Sequence, residues 1–312
     1  MKISIITPSF NRSCYLDETI ESVLSQEGDF EIEYIIQDGG SGKDVLDILR
    51  KWDRKVKSKA FLPKCNNIDF KYFVEKDEGM YDAVNKGFAR ASGEIMAWIN
   101  SDDYYIPHAF NTLARVFDKF NDVDWVTGMQ TLYNQYGGII QVNYSSTPAY
   151  SREFIKRGYY DRRFMKYDFS WIQQETTFWR RSLWEKVGGK IKDGYKLAGD
   201  FALWKEFAQH TDLVHVYSVF AGIRKHNDQK TVNLNEYFEE IPLAKPPSPV
   251  FRFIRASIAV FPFSRKVLFH SRIGNVVLKI LGQEKQWYLG RVIRWNLEVS
   301  DWHLFQMCFF KK

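Results

Sequence analysis

Apolar positions along the first 120 residues switch period in a regular way. Lys2 to Thr7 carries Ile3, Ile5 and Ile6 and is broken by Pro8 and the turn formers Ser9 and Asn11. Tyr15 to Gln26 then places Leu16, Ile20, Val23 and Leu24 at helical spacing, and Phe30 to Gln37 reads as a second strand through Ile32, Tyr34, Ile35 and Ile36. Strand, helix and strand in about forty residues make a βαβ unit with parallel strands and a right-handed crossover, so both loops open on the same edge. The alternation continues with a helix from Lys43 to Lys57, a strand from Phe70 to Glu75 and a helix from Met80 to Ala91. Next comes Ile95 to Ile99, five apolar residues between Gly93 and a polar run. Such a run predicts a strand buried on both faces of a parallel sheet. A helix over Pro107 to Phe120 closes this part. Gly87 lies inside a predicted helix, where glycine costs about 1 kcal/mol against alanine, so it marks close packing on the sheet or on a ligand.

Beyond residue 122 the pattern changes. Asp124 to Leu132 and Gly138 to Tyr144 read as strands joined by a turn, and Pro148 to Phe169 is irregular, basic and rich in Tyr. Gln173 to Arg181 is predicted as a strand, Leu183 to Val187 as a short helix, Phe201 to Ala208 as an amphipathic helix and Leu213 to Tyr217 as a last strand. Pro246, Pro247 and Pro249 then read as a linker. Residues 245–312 hold twelve Lys and Arg against Glu284, Glu298 and Asp301, so the whole basic excess lies there and the first 244 residues are slightly acidic. Basic segments with Phe and Trp suit a membrane interface; the alternative is that they pack back on the preceding domain.

Composition narrows the class. At 312 residues and 45% hydrophobic content the chain can bury a sizeable core. Cys14, Cys65 and Cys308 are far apart and lack metal spacing, which points to a reduced cytoplasmic setting without disulfides or a zinc site. No signal peptide is expected, and no apolar run reaches the roughly 20 residues that span a bilayer. No nucleic-acid-binding module accompanies the basic segment, so nucleic acid is not an expected partner.

The chemistry gathers at strand ends. Asp38 precedes Gly39-Gly40, Asp77 sits in the turn after the third strand, and Asn100-Ser101-Asp102-Asp103 follows the fourth. An Asp-Asp pair alone serves equally well as a helix cap. Three successive strand–helix steps, however, deliver all of these carboxylates to one sheet edge, where open α/β sheets bind ligands. Adjacent like charges repel unless a cation sits between them, and a hard divalent ion takes one or two carboxylates together with phosphate oxygens. Neither GxGxxG nor GxxxxGK[ST] is present, so a nucleotide would be held by other means. Asp200, ahead of the Phe201 helix, suits an N-cap or a general base. His226, in a basic loop running to Lys230, suits solvent, a metal or a phosphate.

Taken together, the chain from Lys2 to about Thr231 resembles glycosyltransferase family 2, the inverting GT-A transferases. The resemblance rests on Thr7-Pro8-Ser9-Phe10-Asn11-Arg12, Asp38-Gly39-Gly40-Ser41 and the block Glu75 to Gly87. It continues through Ala91-Ser92-Gly93-Glu94, Asn100 to Asp103, Gln173-Gln174-Glu175-Thr176 and Phe178-Trp179-Arg180-Arg181. It implies an α/β GT-A fold, a mostly parallel Rossmann-like sheet flanked by helices. Residues 1–122 would form the nucleotide-binding half and 123–244 the acceptor half; beyond the resemblance, the pattern of residues 245–312 itself predicts a basic amphipathic helical tail. The implied reaction moves a sugar from a nucleotide-diphosphate sugar, a UDP-sugar being favoured, to a hydroxyl of a glycan or lipid-linked acceptor. The implied setting is cell-surface polysaccharide synthesis on the cytoplasmic face of the plasma membrane.

Carried over by residue, the resemblance assigns Thr7, Pro8, Asp38, Asp77, Asn100 and Asp102 to the nucleotide. It assigns Asp102, Asp103 and His226 to a divalent cation, Mn²⁺ or Mg²⁺. Asp200 would be the catalytic base, and Gln174, Glu175 and Trp179 would contact the acceptor or donor sugar. Two departures stand out: Asn100 occupies the first position of the family's aspartate-any-aspartate motif, and Gly199-Asp200 replaces a Glu-Asp pair. A sugar nucleotidyltransferase is a competing class, disfavoured because no Gly-rich loop with Arg and Lys follows the first strand. A non-catalytic carbohydrate-binding or scaffold protein is another, opposed by Asp102, Asp103 and Asp200 standing together.

Overall fold

The computed structural model describes residues 1–142, 148–226, 234–261, 266–269 and 271–310. Its first half follows the sequence pattern, except that the third strand begins at Lys64 and not at the expected Phe70. Strands β1 (Lys2–Ser9), β2 (Glu27–Asp38), β3 (Lys64–Val74) and β4 (Ile95–Trp98) alternate with helices α1 (Leu16–Leu24), α2 (Lys43–Lys57) and α3 (Met80–Arg90). β1 pairs in parallel with both β2 and β4, and β2 with β3. β4 is buried at every position, as its unbroken apolar run requires. α1 turns Leu16, Ile20, Val23 and Leu24 inward. Gly87 marks packing on the sheet: a Cβ there would lie 2.4 Å from Ile6 of β1.

The second half joins the same sheet rather than forming its own. The helix α4 (Ala109–Lys119) leads to β6 (Trp125–Thr127), with the two-residue strand β5 (Tyr104–Tyr105) before it. The predicted strand from Asp124 to Leu132 is two strands. It breaks at Gly128, where a Cβ would meet Phe220 and the Ser218 carbonyl, and β7 (Thr131–Asn134) pairs antiparallel with β8 (Ile139–Val142). Downstream lie α5 (Arg152–Lys156), β9 (Thr177–Arg180), α6 (Arg181–Lys186), α7 (Gly199–His210), β10 (Leu213–Val216), β11 (Ala221–Lys225) and α8 (Leu234–Glu240). β9 runs antiparallel between β4 and β6. The expected strand over Gln173 to Arg181 therefore starts only at Thr177, after a 3₁₀ turn at Gln174–Thr176. A small second sheet has the order β5-β11-β7-β8.

The C-terminal segment departs from expectation. α9 (Pro249–Val260) and α10 (Arg272–Ile280) are helices, but β12 (Leu289–Asn296) and β13 (Asp301–Cys308) form an antiparallel hairpin. β12 pairs in parallel with β10, which gives a nine-stranded sheet of order β13-β12-β10-β6-β9-β4-β1-β2-β3. The helical-tail expectation is thus corrected for residues 289–308. Gly290 permits the pairing by letting the backbone approach within 2.3 Å, measured from an added Cβ, of the Tyr150 carbonyl. The basic side chains that suggested a membrane face on this hairpin have protein partners: Arg291 pairs with Asp122, and Arg294 lies 3.7 Å from the Tyr217 ring centroid. Phe251, Ile254 and Ile258 of α9 enter the main core, so the helix packs back through that face.

Candidate active site

The ends of β1, β3 and β4, the 3₁₀ turn at Gln174–Thr176 and the start of α7 enclose a cleft of ≈ 260 Å³. Pro8, Asp77, Asn100, Asp102, Asp103, Gln174, Glu175 and Asp200 line it together. Residues as far apart in sequence as Pro8 and Asp200 therefore meet at one edge.

The turn after β4 is fixed from beneath by Arg224, a fully buried side chain on β11. Its guanidinium donates to the Asp102 carbonyl at 2.9 Å and to Glu18 at 2.6 Å, and stacks on the rings of Tyr15 and Tyr104. Its backbone N–H donates to Asp103 Oδ1 at 2.8 Å, and Asn100 Nδ2 to Asp103 Oδ2 at 3.3 Å. Asp103 is thus turned inward, both oxygens engaged. Burial, with Asp102 and Glu175 close by, raises its carboxyl well above the usual range. Asp102 is the member of the pair that keeps an outward oxygen. Its Oδ2 lies 3.1 Å from His226 Nε2 and 3.2 Å from Arg12 Nη1. A carboxylate oxygen and an imidazole nitrogen side by side are ligand types that Mn²⁺ or Mg²⁺ accepts. No group of three or more His, Cys, Asp or Glu converges among the described residues, so such an ion would draw its remaining ligands from phosphate and water.

Ser9 Oγ and Asn100 Oδ1 also line the cleft, buried and without a protein hydrogen-bond partner. Buried polar atoms are nearly always paired, so two orphans on one cleft wall are suited to a polar ligand. Asn100, the departure from the family motif, donates on its other side to Glu175 Oε1 at 3.3 Å. Glu175 is buried and its carboxyl is pushed up to about 7, by burial first and by the charges of Asp200 and Asp102.

Asp200 stands in the first turn of α7. Phe201 N–H donates to its Oδ1 at 2.7 Å and the Tyr81 hydroxyl approaches the same oxygen at 3.4 Å. Withdrawal from water nevertheless raises its carboxyl to about 6. Tyr81 also donates to the Leu197 carbonyl at 2.9 Å. The second departure, Gly199, follows from this packing, because a Cβ there would meet the Tyr81 ring at 2.8 Å. From the far side, Glu240 at the end of α8 accepts the backbone N–H groups of Lys196, Leu197 and Ala198 at 2.9 to 3.0 Å. Tyr81 and Glu240 thus clamp the backbone that presents Asp200. Neither was singled out by the sequence, because their partners lie 119 and roughly 43 positions away and no local pattern signals such pairs.

Three expected contacts sit elsewhere. Trp179 is fully buried in an aromatic cluster with Trp98, Trp204 and Phe88, and does not reach the cleft. Its direct role toward a sugar is corrected to a core role: on β9 its side chain falls on the face packed by α3 and α7. Thr7 is buried and bonded to the Tyr34 hydroxyl at 2.9 Å, one position before the cleft wall begins at Pro8. Asp38 is buried too. It accepts from Gly40 N, Ser41 N and Ser41 Oγ, so it shapes the loop after β2 and does not line the cleft. Gln174, by contrast, lines the cleft while donating to the Trp98 carbonyl at 2.5 Å. The part of the basic loop from Asn227 to Lys230 lies outside the described residues. The sequence also passed over Arg162 and Trp171, stacked at 4.1 Å, and Tyr237, all of which line the cleft.

A mostly parallel sheet with a carboxylate-lined cleft at one edge fits the GT-A architecture that the resemblance implied, and comparison with known proteins agrees. The chain belongs to glycosyl transferase family 2, whose model matches residues 4–188. A glycosyltransferase of PGL/p-HBAD biosynthesis from Mycobacterium bovis is 33% identical over 258 residues, covering 77% of this chain and 84% of that one. An uncharacterized glycosyltransferase of Rickettsia typhi is 25% identical over 76% of this chain and 68% of its own. With other relatives the match is partial: it spans about a third of an uncharacterized glycosyltransferase of Nostoc, at 32% identity over 38% of this chain. Among solved structures, S. aureus TarS in complex with UDP-GlcNAc superposes with a TM-score of 0.53 at 17% identity, covering 92% of this chain and 79% of that one. A mannosyltransferase of Pyrobaculum calidifontis in complex with GDP-Man and Mn²⁺ gives 0.51 at 15%, covering 90% and 79%. The chain has the GT-A fold.

Proposed function

We propose that this glycosyltransferase moves a sugar, with inversion, from a nucleotide-diphosphate sugar to a hydroxyl of a glycan or lipid-linked acceptor in cell-surface polysaccharide synthesis. The observation that carries the proposal is one cleft holding both Asp102, paired with His226, and Asp200 with its carboxyl near 6. UDP is the favoured nucleotide, and Mn²⁺ or Mg²⁺ the ion that Asp102 and His226 would hold. Bound there, the ion would supply Lewis-acid stabilisation of the leaving diphosphate.

The remaining work falls to the chain's own groups. Pro8, Asp77 and the orphaned Ser9 Oγ and Asn100 Oδ1 form the wall that receives the nucleoside and ribose. Asp200 takes the proton from the acceptor hydroxyl as the new bond forms at the anomeric carbon; the old bond to the diphosphate breaks and its electron pair leaves with the phosphate oxygen. A carboxyl near 6 is ionised at neutral pH yet basic enough to take that proton, which is the balance general-base catalysis needs. Glu175 and Gln174 stand beside it and would contact the sugar.

The test is thermal unfolding with UDP, GDP, TDP and CMP, each with Mn²⁺, with Mg²⁺ and with EDTA, on wild type and Asp102→Ala. A ligand at a hundred times its dissociation constant stabilises by about 2.7 kcal/mol. A metal-dependent shift for one diphosphate, absent in Asp102→Ala, is expected. No shift with any of them would remove the proposal as stated.

A further inference from the structure

We propose that the outward faces of α9 and α10 dock on an anionic lipid bilayer and lie in its interface. This goes beyond the transfer reaction and stands independently of it. α10 is turned with its apolar side to solvent: Gly274 and Leu278 are its buried positions, whereas Ile273 is 72% exposed and Ile280 78%. Val276 and Val277 are exposed between them, so the four residues follow i, i+3, i+4, i+7 spacing and form one stripe along the helix. Arg272 and Lys279, seven apart and both exposed, run along one border of that stripe. An apolar stripe edged by cations is the pattern of a helix lying at a headgroup boundary.

α9 adds to the surface. It buries Phe251, Ile254 and Ile258 and leaves Phe253 and Val260 exposed, followed by Phe261 at 67% and preceded by Leu243 at 66%. Large apolar side chains exposed at this density along two segments close in sequence are not scattered surface residues.

Charge decides which occupant fits. From Ile241 to Gln283 there are seven Lys and Arg and no Asp or Glu. One of them, Arg255, is engaged by Asp168 at 2.8 Å; Arg252, Lys266, Arg272 and Lys279 are exposed. A second copy of this chain would bring the same positive surface against itself, whereas an anionic bilayer accepts both the apolar stripe and its cationic border. No helix among the described residues is long and apolar enough to cross a membrane, and the interfacial mode asks for none.

Full-length protein is sedimented with vesicles of phosphatidylcholine alone and of phosphatidylcholine mixed with phosphatidylglycerol. It is compared with Ile273→Ser/Ile280→Ser and Arg272→Glu/Lys279→Glu. Both pairs are exposed, so unfolding temperatures should match wild type, and two variants of different chemistry keep the result from resting on one folding outcome. Wild type should bind the mixed vesicles and bind neutral ones at least tenfold more weakly. Each lost isoleucine should weaken binding by about tenfold, and each lost cation by about fivefold, with charge reversal adding to that. Absence of binding to the mixed vesicles, or binding that both variants retain, overturns the proposal. So does a dimer in sedimentation velocity that Ile273→Ser/Ile280→Ser abolishes without any vesicle binding, which would assign the face to a second copy.

Discussion

Removing one oxygen from Tyr81 should move the pH dependence of catalysis. In Tyr81→Phe the ring still fills the space beside Gly199, but the hydroxyl that approaches Asp200 Oδ1 at 3.4 Å is gone. A hydrogen bond to an ionised group is worth about 1.5–3 kcal/mol at good geometry; because the single hydroxyl proton is shared with the nearer Leu197 carbonyl, about half of that at most is expected at Asp200. Because the bond favours the ionised form, its loss raises the Asp200 carboxyl from about 6 by roughly half to one pH unit. The acid limb of kcat/KM should shift upward accordingly, with the plateau lowered further as the Leu197 carbonyl loses its donor and the turn loosens. The assay is nucleotide release against pH with the donor found in the unfolding panel. An acid limb that stays in place in Tyr81→Phe, with the plateau unchanged, would refute the assignment of Asp200 as the titrating base held by Tyr81.

Other substitutions separate the roles. Asp200→Asn should lower turnover by roughly 10²- to 10⁴-fold while the nucleotide-induced unfolding shift persists, as expected of a base that does not hold the donor. Glu240→Gln weakens a carboxylate that accepts three backbone N–H groups, so calorimetry should show about 1–3 kcal/mol lost, together with a lower rate. Trp179→Ala should cost about 3–5 kcal/mol as a core cavity, and denaturant unfolding should register that before any change in sugar preference appears. In Glu175 and Asp200, burial raises both carboxyls, to about 7 and about 6, above ordinary unfolded values near 4. The folded state therefore binds more protons than the unfolded one over this interval, and stability of the ligand-free protein should fall as pH rises from about 5 through 7. Glu175→Gln should flatten that slope in a thermal-unfolding series.

The first half of the fold could be read because its signals are local. β4 is a continuous apolar run, β1 and β2 carry clustered isoleucines, and each helix between the first four strands has its own buried stripe, so element type and sheet edge follow from the pattern alone. β12 could not be read this way. Its Arg291 and Arg294 look solvent-bound until Asp122 and Tyr217, both far away in sequence, are placed beside them. The site divides along the same line. Asp102 and Asp200 were visible because strand-end and helix-start positions are local facts. Thr7 falls one position short of the cleft wall at Pro8, and Trp179 lies on a strand buried between β4 and β6, a placement that only the assembled sheet decides. Tyr81, Glu240 and Arg224 act through partners that only the assembled sheet brings near.

The closing of the sheet by β12 and β13 has a consequence for how the molecule comes into being. During synthesis strands β1 to β4 have all emerged near residue 100 and can begin to order on their own βαβ units, although the cleft still waits for Glu175, Asp200 and Arg224. β10 gains its second neighbour only when residues 289–296 arrive, and Lys119 gains Asp301 only after that. The flank of the sheet next to α5 thus waits for nearly the whole chain. A stop close to residue 290 would leave β10 as a bare edge of buried, apolar residues, a template for unwanted strand addition.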